Sequence, residues 1–498
     1  MTTEPALEVP GPFGAPVPQS EEAVTLKKDT LNLFDSTVVA ISSVAPAYSL
    51  PATMALLFLT AGVGYAGPAV IWLSFFPVLF VAIAYFHLNR RDPDCGASYA
   101  WLSKLVHPTV GWFNGWVQVA TSVLFCISAP IVAGQYTLQF MNEVGWISAS
   151  SAASVGNAAI AAGAYLALIT FICIWGIRWT TNFQWVLLII EYLAVLVFSI
   201  WGIVKVATSH PTGSRNFSMS WLSPTSIGGF GALAAGAVLA VFFFWGWDTA
   251  TNLNEESKNA TKTPGHAGII AMFLLLLVFA INIIAAQMLL PPQAWSDNQS
   301  TILLYFAQQA AGHWAGYVMI IAVISSTVAT TQTTLLPAAR ITLSMSRDRV
   351  WPRVFGTIQG KLQTPAVGTL ILAFVCMFGI VMVSNVSSIS NVFNNLISSI
   401  GVLIAFYYGV TGITCAWAYR RVAFKSGRFF LTGILLPLIG GIALLAIGAK
   451  LIAQVGWSGA YADIIVLLLG IPLVIIAKYT TKGPFFDQKP IAYDEIGD

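Results

Sequence analysis

The stretch Phe242-Phe243-Phe244-Trp245-Gly246-Trp247-Asp248-Thr249, closed by Asn254-Glu255-Glu256-Ser257-Lys258-Asn259, decides how this chain folds. The apolar run that leads into it begins near Phe230 and has the length of a membrane-spanning helix. A carboxylate near the middle of a bilayer costs roughly 2.5–3.5 kcal/mol on insertion scales and is tolerated where it faces a cavity or a partner. Gly246 beside it loosens the helix at the point where backbone groups could be freed to coordinate a ligand. The stretch therefore reads as an interrupted membrane helix with a binding role.

The rest of the composition agrees. The chain has 498 residues, of which 57% are hydrophobic and 9% charged, with a mean hydropathy of +0.77. Soluble domains carry about 25% charged residues, so the composition describes an all-α polytopic membrane protein. The net charge of +3 says less than its distribution. Cys95, Cys126, Cys173, Cys376 and Cys415 are scattered, with no CxxC pair and no metal-ligand spacing. They read as small packing residues, and no metal, cofactor or nucleic-acid partner is expected.

Apolar runs of about 20 residues cross a ~30 Å hydrocarbon core. They recur at 33–59, 67–88, 109–140, 157–177, 182–206, 230–254, 267–290, 313–345, 366–384, 391–418, 429–453 and 460–479, twelve in all. With the N-terminus inside, about 20 of the 23 basic residues fall in cytoplasmic segments, leaving Lys205, Arg215 and Lys450 outside. An even number of spans then puts both termini in the cytoplasm of a cell-membrane protein. Residues 1–30 are rich in Pro, Gly and Glu without apolar periodicity and are expected to be a disordered cytoplasmic tail. No signal peptide precedes the first span, which is expected to act as its own insertion signal.

The first span is broken as well. It reads Ser42-Ser43-Val44-Ala45-Pro46-Ala47-Tyr48-Ser49-Leu50-Pro51, and each proline removes an amide donor and disturbs the helical ladder. Pro46 and Gly246 lie about 200 residues and five spans apart, so matching breaks would fall in two halves of opposite orientation, a sequence pointer to a midplane transport site. The expected organisation is a first repeat at 31–206, an external loop at 207–229, a second repeat at 230–420, two added helices at 421–482 and a cytoplasmic tail at 483–498.

Three motifs carry a resemblance to a known family. Gly246-Trp247-Asp248 with Asn254-Glu255-Glu256-Ser257-Lys258-Asn259 resembles the sixth-helix signature of the amino acid–polyamine–organocation permeases. Arg340 to Asp348, followed by Pro352, resembles the end of that family's eighth helix, and Gly96-Ala97-Ser98-Tyr99-Ala100-Trp101 is similar to its Gly-Gly-x-Tyr-x-Trp segment. Together the motifs span residues 31–420 in order. The resemblance implies the leucine-transporter fold: twelve transmembrane helices as a 5+5 inverted repeat plus two, working by alternating access on a small organic solute. Three positions depart from the pattern. Ser43-Val44-Ala45-Pro46-Ala47 stands where a Gly-Ser-Gly break is usual, Ala260 where a proline is usual, and Arg349 where a glycine is usual. The first departure weakens the expectation that the loop offers amides to an α-carboxylate.

Ser43, Ala45, Pro46, Ala47, Tyr48 and Ser49 in the first break, with Phe244, Trp245, Gly246, Trp247 and Asp248 in the second, are the candidate substrate-binding residues. Amides opening a half-helix attract anions, Asp248 suits an ammonium group, and the tryptophans can meet a cation face-on. The ordinary account of Asp248 is a buried acid that holds the shape of its loop. Glu191 stands in a span without a basic neighbour in sequence and is a candidate proton-coupling or amine-pairing group; proton-coupled relatives carry a lysine at the corresponding place. Ser325, Ser326 and Thr327 are candidates for cation coupling, against the common alternative that such hydroxyls bond back to their own helix.

The functions in contention are a secondary permease for amino acids, polyamines or other amines, driven by protons or by solute exchange, a sodium-coupled symporter of another small solute, and a non-transporting nutrient sensor. A sensor would usually add a sizeable soluble domain. Enzyme constellations and a P-loop are missing from the sequence, so neither an intramembrane enzyme nor direct ATP drive is expected.

Overall fold

The computed structural model describes residues 25–299, 301–384, 389–481 and 483–495, with the side chains at 52, 389–398 and 454–462 left out. Residues 1–24 of the expected tail and the connection around Asn385 lie outside the described residues. Among those described, every regular element is helical, and the β-type contacts are two isolated pairings, Leu31 with Ser257 and Gln359 with Thr364.

Eleven helical stretches are long and apolar enough to cross a membrane. The main helices are α1 (Leu33–Val44), α2 (Pro46–Leu59), α3 (Gly67–Arg91), α4 (Ser98–Leu105), α5 (Pro108–Glu143), α6 (Val155–Trp175), α7 (Ile177–Ser209), α8 (Phe230–Phe243), α9 (Thr263–Leu289), α10 (His313–Arg347), α11 (Ala366–Val383), α12 (Ile389–Ala418) and α13 (Leu436–Thr480). The run at 230–254, read as one span, is helical over the 14 residues of α8 and then gives way to short turns. The last two expected spans lie within the unbroken helical run of α13 and the turns before it. Gly427–Ala453 and Asp463–Thr480 each qualify as a span. Of the segments that flank this run, Arg421 before it pairs with Asp494 after it at 3.2 Å.

Local sequence explains where α1 begins and ends. Asn32 and Asp35 form a reciprocal capping box, with Oδ1 of Asn32 accepting from the Asp35 amide at 2.9 Å. At the other end Ala45 adopts φ +48°. The residue before a proline is pushed out of the helical region, whereas Pro46 itself is well placed to open the next helix. A left-handed alanine costs about 1–2 kcal/mol, and its complete burial lets packing on all sides hold it there.

The core surrounds these breaks. Helix α1 packs on α9 and α10, α7 crosses both α9 and α10, and α5 runs along α10. Arg90 and Arg91 at the end of α3, Lys104 and Arg347 share one face of the bundle, the basic face, with Arg340 buried just beneath it. The segment 483–495 lies across it. Phe485 and Phe486 are buried, the Ile491 amide donates to the Lys104 carbonyl at 2.9 Å, and the Tyr493 amide donates to the Ala418 carbonyl at 3.0 Å. The Tyr493 ring lies 4.9 Å from Tyr419 and 5.1 Å from the Arg91 guanidinium. Residues 25–31 dock on the same face, with Leu26 buried and the amides of Thr30 and Leu31 donating to the Glu256 carbonyl.

Candidate functional site

The two breaks meet. Gly246 has φ +115°, and a Cβ there would lie 2.9 Å from the carbonyl carbon of Ser43. Glycine is needed on both counts, for the dihedral and for the approach. Around the contact, freed polar groups find partners across helices. Ser43 Oγ lies 2.7 Å from Thr249 Oγ1, the Thr330 hydroxyl donates to the Ser43 carbonyl at 2.5 Å, and the Thr249 hydroxyl donates to the Thr333 carbonyl at 3.2 Å. The Tyr48 amide donates to Ser326 Oγ at 3.0 Å, and the Ser49 hydroxyl donates to the Val44 carbonyl at 2.6 Å.

Asp248 follows Gly246 and is 6% exposed. Its carboxylate accepts from the Tyr408 hydroxyl at 2.8 Å and from the Tyr407 hydroxyl at 3.4 Å, both on α12. Trp245 Nε1 donates to the Tyr407 oxygen at 2.5 Å, so tryptophan, tyrosine and carboxylate form a chain. A cavity of about 20 Å³, room for about one water, lies against this chain and is lined by Gln118, Ser122, Trp245, Gly246, Asp248 and Tyr407. Thr249, Asn252, Thr334, Pro337 and Ile341 complete its lining.

Of the residues singled out in the sequence, Trp245, Gly246 and Asp248 line the cavity. Phe244 packs on Phe75 and Phe279, and Trp247 on Tyr85 and Tyr408, so both brace the break from behind. Ser43 holds the two breaks together. Ala45, Pro46, Ala47, Tyr48 and Ser49 are buried in the first break, off the cavity wall. Glu191 is fully buried, and among the described residues neither of its oxygens makes a geometrically sound hydrogen bond; the Ser326 hydroxyl is the polar side chain that acts on it. Ser325 and Thr327 bond back to the carbonyls of Ala322 and Val323 on their own helix, and only Ser326 of the three reaches another break. Tyr407 and Tyr408 were not singled out in the sequence. A tyrosine pair in an otherwise apolar span was the available signal.

Beneath the cavity, on the basic face, a second polar layer closes the bundle. Arg340 and Glu256 are 1% and 0% exposed and paired twice, Nε to Oε2 at 2.8 Å and Nη2 to Oε1 at 3.0 Å. Arg347 pairs with Glu255 at 2.8 Å, the Asn252 side chain donates to the Cys95 carbonyl at 3.0 Å, and Asn254 donates to Asn89 Oδ1 at 2.9 Å. The Tyr99 hydroxyl donates to Asp348 Oδ2 at 2.6 Å. Burial nevertheless pushes the Asp348 carboxyl up to about 6.

Comparison with known proteins bears on what this arrangement serves. The model of the amino acid permease family matches residues 31–480, from the first break to the last span. The chain belongs to that family. This permease is 24% identical over 434 residues to the low-affinity putrescine importer PlaP of Escherichia coli K12, an alignment covering 83% of this chain and 88% of the importer. It is also 24% identical over 367 residues to the branched-chain amino acid permease BcaP of Lactococcus lactis, covering 71% and 74% of the two chains. To the vacuolar cationic amino acid transporter 4 of Arabidopsis thaliana it is 23% identical over 390 residues, covering 75% and 61%. The permease is thus a membrane transporter and not an enzyme.

Proposed function

We propose that this permease carries a small amine or amino acid across the cell membrane by alternating access, with Asp248 as the group that receives the solute's ammonium. The observation that carries the reading is the meeting of two interrupted helices at one buried carboxylate beside a cavity. The relatives named for putrescine, branched-chain and cationic amino acids share an amine as their common chemistry.

The architecture we assign is a twelve-span bundle of two inverted five-helix repeats plus two helices, with both termini cytoplasmic and the basic face inside. Helix contacts recur in pairs as such a repeat requires. The contact of α1 with α9 has its counterpart in α8 with α3, and that of α7 with α10 in α12 with α5. The contact of α7 with α9 matches that of α12 with α3. The cavity is too small for an amine, so binding requires the helices to part, on the inner side by release of the Arg340–Glu256 layer. Glu191 is assigned to coupling: a buried acid with no basic partner among the described residues, and with the Ser326 hydroxyl between it and the first break, can take up and release a proton as the break moves.

Counterflow in proteoliposomes against a panel of amino acids, polyamines and monoamines, with and without a pH gradient, tests the proposal. Uptake of at least one member, lost in Asp248→Asn, is the expected result. No uptake of any member by a folded protein refutes it and restores the sensor reading. Uptake that depends on sodium and ignores pH refutes proton coupling alone, as does unchanged pH dependence in Glu191→Gln.

A further inference from the structure

The charges around the cavity and the chemistry of the first break together narrow the solute, provided the transport reading above holds. Among the described residues lining the cavity, Asp248 is the one charged group, and none is lysine, arginine or histidine. Arg340, a basic side chain on one of the lining helices, is held by both oxygens of Glu256 and turned away into the layer beneath. A substrate carboxylate entering the cavity would therefore meet Asp248 without a counter-cation.

The remaining source of positive potential is the N-terminus of α2, whose first amides could receive an anion. Of the three that follow Pro46, those of Ala47, Tyr48 and Ser49, the chain uses the last two internally. Pro46 has no N–H, the Ser49 amide donates to the Ala45 carbonyl at 2.9 Å, and the Tyr48 amide donates to the same carbonyl and to Ser326 Oγ, both at 3.0 Å. Ser326 thus stands where a bound carboxylate oxygen would accept the Tyr48 amide. Trp245 and Tyr407, by contrast, put aromatic rings and a hydroxyl beside Asp248, which suits a cation.

We infer that the solute is an organic cation without an α-carboxylate: an alkyl-, aralkyl- or diamine rather than the amino acid of the same side chain. Discrimination follows from desolvation. A carboxylate stripped of water and left unpaired in a buried site is strongly disfavoured, whereas the ammonium of either molecule finds Asp248.

Matched pairs that differ by the carboxylate alone test this on the unaltered full chain. Uptake of cadaverine, putrescine, isobutylamine and phenethylamine into proteoliposomes is compared with that of lysine, ornithine, valine and phenylalanine. The expected result is that, in each pair that shows transport, the amine is favoured by at least about 100-fold in uptake efficiency. An amino acid carried as well as or better than its amine overturns the inference and leaves the transport reading standing. No transport of either member in any pair overturns the transport reading itself, and the inference falls with it.

Discussion

Replacing Glu256 with glutamine should unlock the basic face of this permease. Arg340 keeps its charge in every condition of interest, and in the observed conformation it is 1% exposed with two bonds to Glu256. Glutamine supplies one acceptor and sets an N–H donor against the guanidinium. Removing one partner from a buried ion pair costs about 3–5 kcal/mol, because the other charge stays uncompensated. In a conformation open on this face, water reaches both side chains and the loss is small. The cost therefore falls on the closed form, and at about 1.4 kcal/mol per tenfold it shifts the closed-to-open ratio by about 100-fold to about 4,000-fold.

Cys95, a native thiol, reports the shift without an introduced cysteine. Its thiol is buried in the same layer, lies 3.6 Å from both the Arg340 carbonyl and the Arg347 guanidinium, and is raised well above the usual thiol range by burial. A thiol that is hidden and protonated reacts slowly with maleimide. In Glu256→Gln, peptide mapping should show Cys95 labelled at least about 100-fold faster than in the parent, set by the population of the open form. The double variant Glu256→Leu with Arg340→Met should return labelling to the slow rate, since apolar replacement of a buried pair is often neutral in stability. Unchanged Cys95 labelling in a Glu256→Gln protein that melts normally would refute the argument.

Gly246→Ala should abolish uptake and lower the melting temperature, because the new methyl meets the Ser43 backbone at 2.9 Å in a conformation alanine rarely adopts; wild-type uptake in this variant would separate the two breaks. Asp348 gives a pH prediction. Its folded value of about 6 exceeds that of a carboxylate in the unfolded chain, so the native state binds the proton more tightly and stability falls as pH rises through that interval. Asp348→Asn should therefore melt higher than the parent at about pH 7.5 and show no advantage near pH 5, with equal melting at both values counting against it. Phe485→Ala should lower the melting temperature by removing a buried ring, a change worth about 3–5 kcal/mol, whereas a segment merely resting on the surface would show no loss.

What the sequence made legible here is what local chemistry dictates. The spans follow from run length, the first break from Ala45-Pro46 and the second from Gly246 beside Asp248. The gathering of basic residues at one face follows from their placement between the spans. Facing across the bundle does not. Trp245 and Trp247 look equivalent in the chain, yet the +115° turn at Gly246 sends one to the cavity and the other against Tyr85 and Tyr408. The partners of Asp248 come from Tyr407 and Tyr408, some 160 residues away, and only helix packing brings them there. Ser326 differs from Ser325 and Thr327 only in the direction it faces on α10, so its pairing with Tyr48 is a fact of rotation about a helix axis. Residues 483–498 read in the sequence simply as a cytoplasmic tail, whereas the docking of 483–495 depends on surfaces built by α3, α4 and α12.

That docked segment also sets an order of assembly. Residues 483–495 are translated after every helix they touch, so the groove between Lys104, Arg91 and Ala418 stands bare until Ile491 and Tyr493 leave the ribosome. A chain cut short of Phe485 would carry all of its spans and both helix breaks and still show an unfilled seam on its basic face. The strap thereby closes that seam only after every helix that lines it has been made.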